Sequence, residues 1–303
     1  MADKANKNTN EEKPQGVLQD ANFPVTPEGR TMHLDVKVGD VATRIMSVGD
    51  TVRGEMLSKL FDNPDTVTVR KSSRNFIIYT GQFKGVDISI IVTGMGTSMV
   101  DFMVRECRHA IKEKMAIVRF GTCGGLVKDK PAGTIMVATQ GSIGCFHDYD
   151  SDIEHLQNGK KIEEVGSAYN FMDCIQGDKA LSGLLATKLK GAVGEEGVFE
   201  GLDITGDSFY SSQGRLDSAF TDRNEGLIEN IMAEHKDAAS LQMDTYKLFH
   251  LAKHSYDHIV AGAACISLFN RHTNSSITEA ERREKEIRGG YAVLEALAEF
   301  PLQ

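Results

Sequence analysis

An arginine set in an apolar run is the first place where this chain could do chemistry. Ala116-Ile-Val-Arg-Phe-Gly-Thr-Cys-Gly-Gly125 opens with residues suited to a buried strand and ends in a Gly/Thr/Gly composition. That is the make-up of a strand end breaking into a turn that offers backbone N–H groups and hydroxyls to an anion. A charged side chain inside an apolar strand is costly unless a carboxylate or phosphate meets it, so Arg119 is expected to point into a ligand site. The plain alternative is an arginine snorkelling at a strand end or paired with a core acid. A second junction, Val41 to Gly49-Asp50, leads to Arg53, and a third runs from Val86 to the turn Thr93-Gly-Met-Gly96. Pooled, these junctions offer Gly49, Asp50, Arg53, Arg119 and Thr122 to an anion. Gln213, Arg215, Asp244 and Arg271 are suited to hydrogen-bonding something else.

The elements that must position these groups alternate between strand and helix. Apolar spacing predicts helices over Thr51–Phe61, Ser98–Lys112, Lys179–Lys190, Leu227–Lys236, Thr245–His254 and Thr278–Phe300. Strands are expected over 41–49, 66–71, 75–80, Val86–Val92, 116–125, Gly133–Thr139, Leu241–Met243 and His258–Phe269. Residues 144–178 read as a polar, acidic stretch, partly loop. Strand, helix and strand in sequence before Arg119 imply a parallel crossover, and the fold class is α/β. Residues 1–22 are polar and are expected to form a disordered tail, with one domain over 23–303.

At 303 residues and 41% hydrophobic content the chain can bury a full core, and a net charge of −9 argues against nucleic-acid or anionic-membrane partners. Five scattered cysteines without a CxxC pair suggest neither a disulfide framework nor a zinc knuckle. No apolar run approaches about 18 residues. A soluble cytoplasmic protein acting on small molecules, without a metal, is expected. His250, His254 and His258 share helical spacing but sit at a helix end, and Cys123 has no assignable His partner, so neither is expected to do chemistry.

Four motifs in order then resemble one family, the nucleoside phosphorylases of the hexameric purine nucleoside and uridine phosphorylase type, above all its uridine branch. Val48-Gly-Asp-Thr-Val-Arg53 is similar to the family's Gly-Asp-x-x-Arg phosphate turn. Arg119-Phe-Gly-Thr-Cys-Gly124 is similar to its Arg-x-Gly-Thr-x-Gly segment, and Gln242-Met-Asp244 stands in the place of its Glu-Met-Glu ribose motif. Phe209-Tyr-Ser-Ser-Gln213-Gly-Arg215 matches a pattern particular to the uridine branch.

The resemblance implies a single-domain three-layer α/β/α fold with a central mixed, partly barrel-like sheet. It implies phosphate held by Gly49, Arg53, Arg119 and Thr122, with Arg74 from the neighbouring subunit. Ribose would rest on Met243, Asp244 and a neighbour's His33, and uracil on Phe209, Gln213, Arg215 and Arg271. Leu268 and Phe269 stand where purine enzymes place a proton-donating Asp. Arg119, Thr122, Gln213 and Arg215 are the expected catalytic residues. The implied reaction is phosphorolysis of uridine to uracil and ribose 1-phosphate in pyrimidine salvage, with inorganic phosphate as co-substrate and no cofactor. A homodimer or trimer of dimers would share the sites. Wider pyrimidine or purine specificity, a nucleosidase using water, and a non-catalytic nucleoside binder are the alternatives. Gln242 and Asp244 depart from the family's glutamates. Asn75 replaces a Glu that helps some bacterial relatives bind an interface cation, so that ion is not expected.

Overall fold

A single strand, β5 (Met115–Gly125), organises the sheet. The computed structural model describes residues 18–161, 164 and 167–302; of the tail expected over 1–22, residues 1–17 lie outside them. Among the described residues, twelve strands form one mixed sheet. β1 (Arg44–Val48) runs parallel between β4 (Val86–Val92) and β5. β2 (Thr68–Lys71) and β3 (Ile77–Phe83) extend that side antiparallel. β12 (Ile259–Asn270) follows β5 in parallel along its length, from Ile259↔Met115 to Asn270↔Gly125. β6 (Ile135–Val137) and β9 (Val198–Glu200) lie beyond it. β7 (Ser142–His147), β8 (Tyr169–Phe171), β10 (Leu202–Gly206) and β11 (Ala238–Gln242) build the other wing, joined to β5 through Leu241↔Gly124 and Ser240↔Gly125.

The Gly-rich end of β5, turn-like in composition, stays in the strand expected over 116–125, because β12 supplies a ladder partner as far as Gly125. Pairing with β1 ends at Arg119, and pairing with β11 begins only at Gly124. Between them the sheet changes partners, and Gly121, Thr122 and Cys123 lie at the opening. Ligands collect at such strand-order switches in α/β sheets.

Helices cover both faces. Met46, Val118 and Phe120 pack toward α1 (Thr51–Ser58), α4 (Lys179–Val193) and α7 (Glu279–Glu299), in a core with Leu57, Leu185 and Leu297. Ile45, Ile117 and Ile91 pack toward α2 (Thr97–Ala110) and α6 (Thr245–Lys253), with Met103, Val104 and Phe249. Alternate residues of the same strands feed opposite cores, as expected of parallel strands buried on both faces. The three-layer α/β/α fold is thus the one observed. Of two further helices, α5 (Leu227–Glu234) packs on the β7–β11 wing, and α3 (Tyr149–Leu156) follows β7, with Asp152 meeting His147. β7, α3 and β8 give regular structure to much of the stretch expected to be partly loop. Among the described residues no helix is long and apolar enough to cross a membrane.

Candidate active site

Gly49, Arg53, Arg119, Thr122, Phe209, Gln213, Arg215, Met243, Asp244, Leu268 and Phe269 line one cavity of about 170 Å³. Its size suits a small molecule. It sits where β1, β5, β11 and β12 end or exchange partners, so the fold gathers residues from across the chain.

At one end stands Arg119, 4% exposed. Its Nη1 donates to Ser47 Oγ at 3.0 Å and Thr93 Oγ1 at 2.6 Å, and its Nη2 to Gly94 O at 3.0 Å and Asp244 Oδ2 at 2.8 Å. Its buried Nε has no hydrogen-bond partner among the described residues. An unsatisfied buried donor on a cation is costly and fits an anionic oxygen. Both readings of Arg119 are met at once: it faces the cavity, and it is paired with an acid. Gly49 permits the approach, since a Cβ there would stand 3.3 Å from Arg119 Nη2.

Arg53 is held from behind. Asp50 caps α1 by accepting from Arg53 N at 2.8 Å and meets Arg53 Nη2 at 3.0 Å. Glu286 of α7, 1% exposed, accepts from Arg53 Nε at 3.0 Å and from Arg283 Nη1 at 2.8 Å. Sequence reasoning missed Glu286: within the charged run Glu279–Arg288 nothing distinguishes the one carboxylate that α7 turns inward.

On the ribose-facing side predicted from the sequence, Asp244 occupies the N-cap position of α6 without making a side-chain cap. Its Oδ1 instead accepts from Gly96 N at 2.8 Å, tying the start of α2 to the wall.

At the other end Phe209 is 45% exposed, and the Arg215 guanidinium lies 4.0 Å from its ring centroid while Nε donates to Phe209 O at 3.0 Å. Asn224 Nδ2 fixes this loop through Ser211 O at 3.0 Å and Arg215 O at 2.9 Å. Arg271 does not line the cavity. Its Nη1 and Nη2 donate to the carbonyls of Gln213 at 2.8 Å and Gly214 at 3.1 Å, so it stands behind the loop and holds it. Burial and the neighbouring Arg215 charge push the Arg271 guanidinium down to about 10, and burial lowers Arg215 as well. Arg215 at this end of the cavity, with Arg271 behind its loop, favours a ligand bearing carbonyl oxygens or developing negative charge.

His33 and Arg74 lie outside the cavity. His33 stacks on Phe102 of α2 with ring centroids 4.0 Å apart, and its Nδ1 meets buried Glu106 at 2.6 Å. Arg74 is exposed in the β2–β3 turn. Cys123 lines the cavity, but burial, reinforced by Cys265 beside it, raises its thiol well above the ordinary range, which disfavours a thiolate nucleophile. The His250 and His254 rings lie 4.3 Å apart, and among the described residues no group of three or more His, Cys, Asp or Glu is placed to hold a metal.

A small-molecule cavity at a sheet switch point, lined by buried Arg53 and Arg119 and by half-buried Arg215, is the kind of site an α/β enzyme offers to an anion and a second ligand. Residues 43–296 match the family model of the phosphorylase superfamily, and the chain belongs to that family. Curated relatives include DeoD-type purine nucleoside phosphorylases of Bacillus thuringiensis (strain Al Hakam) and Bacillus cereus (strain B4264). Each is 30% identical over 108 residues, 36% of this chain and 45% of the relative, so the matched segment spans less than half of those proteins. A solved structure from work on two diverse uridine phosphorylases of the oomycete Phytophthora capsici is 34% identical. It superposes with a TM-score of 0.88 over 94% of this chain and all of that one. A Trypanosoma brucei nucleoside phosphorylase, described as showing uridine phosphorylase activity, is 20% identical with a TM-score of 0.74 over 92% of this chain, and supports the fold alone.

Proposed function

We propose that the protein is a uridine phosphorylase, a pentosyltransferase that cleaves uridine reversibly with inorganic phosphate to give uracil and ribose 1-phosphate. One arrangement carries the reading: Arg119, with its unpartnered Nε, at one end of the cavity and Phe209, Gln213 and Arg215 at the other, with no carboxylic acid among the described residues at that second end. A phosphate oxygen attacks C1′ as the N-glycosidic bond breaks, and the bonding pair leaves on the uracil ring. Arg119, Arg53, Gly49 and Thr122 hold the phosphate. Gln213 and Arg215 stabilise the departing uracil anion, whose charge exists only as the bond breaks. Phe209 packs against the ring once Arg215 moves toward the base. Leu268 and Phe269 supply no proton for a purine N7, which disfavours purines.

Met243 and Asp244 face the ribose. His33 and Arg74 serve the site of a second copy, which makes a homodimer the minimal active unit, working in cytoplasmic pyrimidine salvage. The test is uracil release from uridine with and without phosphate, with inosine alongside. Phosphate-dependent release with ribose 1-phosphate formed and inosine untouched is expected. Phosphate-independent release would mean a hydrolase, and silence on both nucleosides would overturn the enzymatic reading.

A further inference from the structure

Behind the ribose-facing wall lies a carboxylate that does not line the cavity. Asp203 of β10 is 2% exposed and meets only uncharged donors: Ser142 Oγ at 2.7 Å, Thr205 Oγ1 at 2.9 Å, Ser240 Oγ at 2.7 Å and Gln242 Nε2 at 2.6 Å. It thereby ties β7, β10 and β11 together. Gln242 Nε2 also donates to Thr205 Oγ1 at 2.7 Å. On its other side Gln242 Oε1 accepts from the backbone N–H of Asp244 at 2.5 Å and of Thr245 at 3.3 Å.

An ionised carboxylate only accepts, so it forces the NH₂ of Gln242 toward itself and the amide oxygen toward Asp244. The opposite orientation would set a carboxamide oxygen against a carboxylate and an NH₂ against two backbone N–H groups. The polarity set at Asp203 is therefore passed to the residue whose carboxylate bridges Gly96 N and Arg119 Nη2.

We propose that Asp203 is a positioning residue that, through the amide orientation of Gln242, fixes Asp244 to receive the ribose 2′-hydroxyl. This rests on the nucleoside reading above. It also accounts for an amide at 242: a carboxylate there would face Asp203 at hydrogen-bonding distance, where both cannot remain ionised.

The test compares wild type, D203N and the swap D203N/Q242E. In the swap the introduced carboxylate accepts from the Asp244 N–H on one side and from the introduced amide at 203 on the other. Measured as kcat/KM, D203N should lose uridine cleavage tenfold or more and 2′-deoxyuridine cleavage much less, and the swap should return the ratio to within threefold of wild type. Equal losses on both nucleosides, or a swap no better than D203N, would overturn the proposal. Failure of both variants to fold would mean a purely architectural role and overturn it too. Hydrogen exchange over Gln242–Asp244 gives a readout that needs no substrate: protected in wild type and swap, faster in D203N. That pattern in a wild type silent on both nucleosides would sink the substrate reading and leave the positioning link standing.

Discussion

Replacing Arg119 with lysine keeps the charge and removes the fork. The guanidinium places four bonds, to Ser47, Thr93, Gly94 and Asp244, and its buried Nε has no partner among the described residues. Lysine has three donors on one atom. It can keep Asp244 and one or two neighbours, but it leaves nothing at the Nε position. One or two lost bonds at about 0.5–1.5 kcal/mol each predict a stability loss of roughly 0.5–3 kcal/mol. Loss of the guanidinium from the cavity wall is the larger effect on rate. Removing one preorganised donor to developing charge typically costs about 10²–10³ in kcat, roughly 2.7–4 kcal/mol. Initial rates of uracil release over a grid of phosphate and uridine concentrations, with urea unfolding of the same samples, separate the two effects. An Arg119→Lys chain that folds and keeps its phosphate kcat/KM within fivefold of wild type would refute the idea that this guanidinium reaches the reacting anion.

Gly290→Ala drives a Cβ into Leu57 Cδ2, well inside van der Waals contact, where α7 meets fully buried Leu57, and overpacking should cost about 1–3 kcal/mol; an unchanged urea midpoint would contradict that packing. Of the five cysteines only Cys174 is exposed. Burial pushes the Cys145 thiol up to about 12 and Cys107 higher still. A disulfide reagent should therefore titrate one fast thiol in the native protein and five after denaturation, and a second fast thiol would be inconsistent with these environments. Burial raises the Asp203 carboxyl above its ordinary 3.8. Below that raised value the folded chain holds a proton the unfolded chain lacks, so this group's contribution to stability rises as pH falls toward 3.8. The unfolding free energy of wild type relative to Asp203→Asn should accordingly increase from neutral to acid pH, and a constant difference would count against it.

What was legible in the sequence was whatever a local pattern encodes. Apolar period and turn residues located β1, α1, α2, β12 and α7 to within a few residues. The length of β11 was not legible, because it depends on partners: the apolar run shows only Leu241–Met243, and the strand covers Ala238–Gln242. Gly121 to Gly125 composes like a turn and becomes strand only because β12 lies beside it. Residues that face the cavity from strand ends announced themselves by type, as Arg119 and Gln213 did. Those acting from behind did not. Glu286 shares a charged run with many equals, and Asp203 is 39 residues from the Gln242 it orients. Arg271 shows the reverse error: its type suggested a ligand contact, while the fold places it against the carbonyls of its neighbouring loop.

On the proposed function, the Arg119–Asp244 ion pair would couple the two halves of the cavity in a thermodynamic sense. An anion that draws Arg119 away releases Asp244 for a hydroxyl donor, and a ligand that engages Asp244 frees Nη2 for an anion. Each ligand then raises affinity for the other by the same factor, because such linkage is reciprocal, with typical coupling of about 1–3 kcal/mol. The pair sets no compulsory binding order. The filled cavity would favour both ligands together over either alone, which keeps single-ligand complexes short-lived and leaves the empty site internally neutralised.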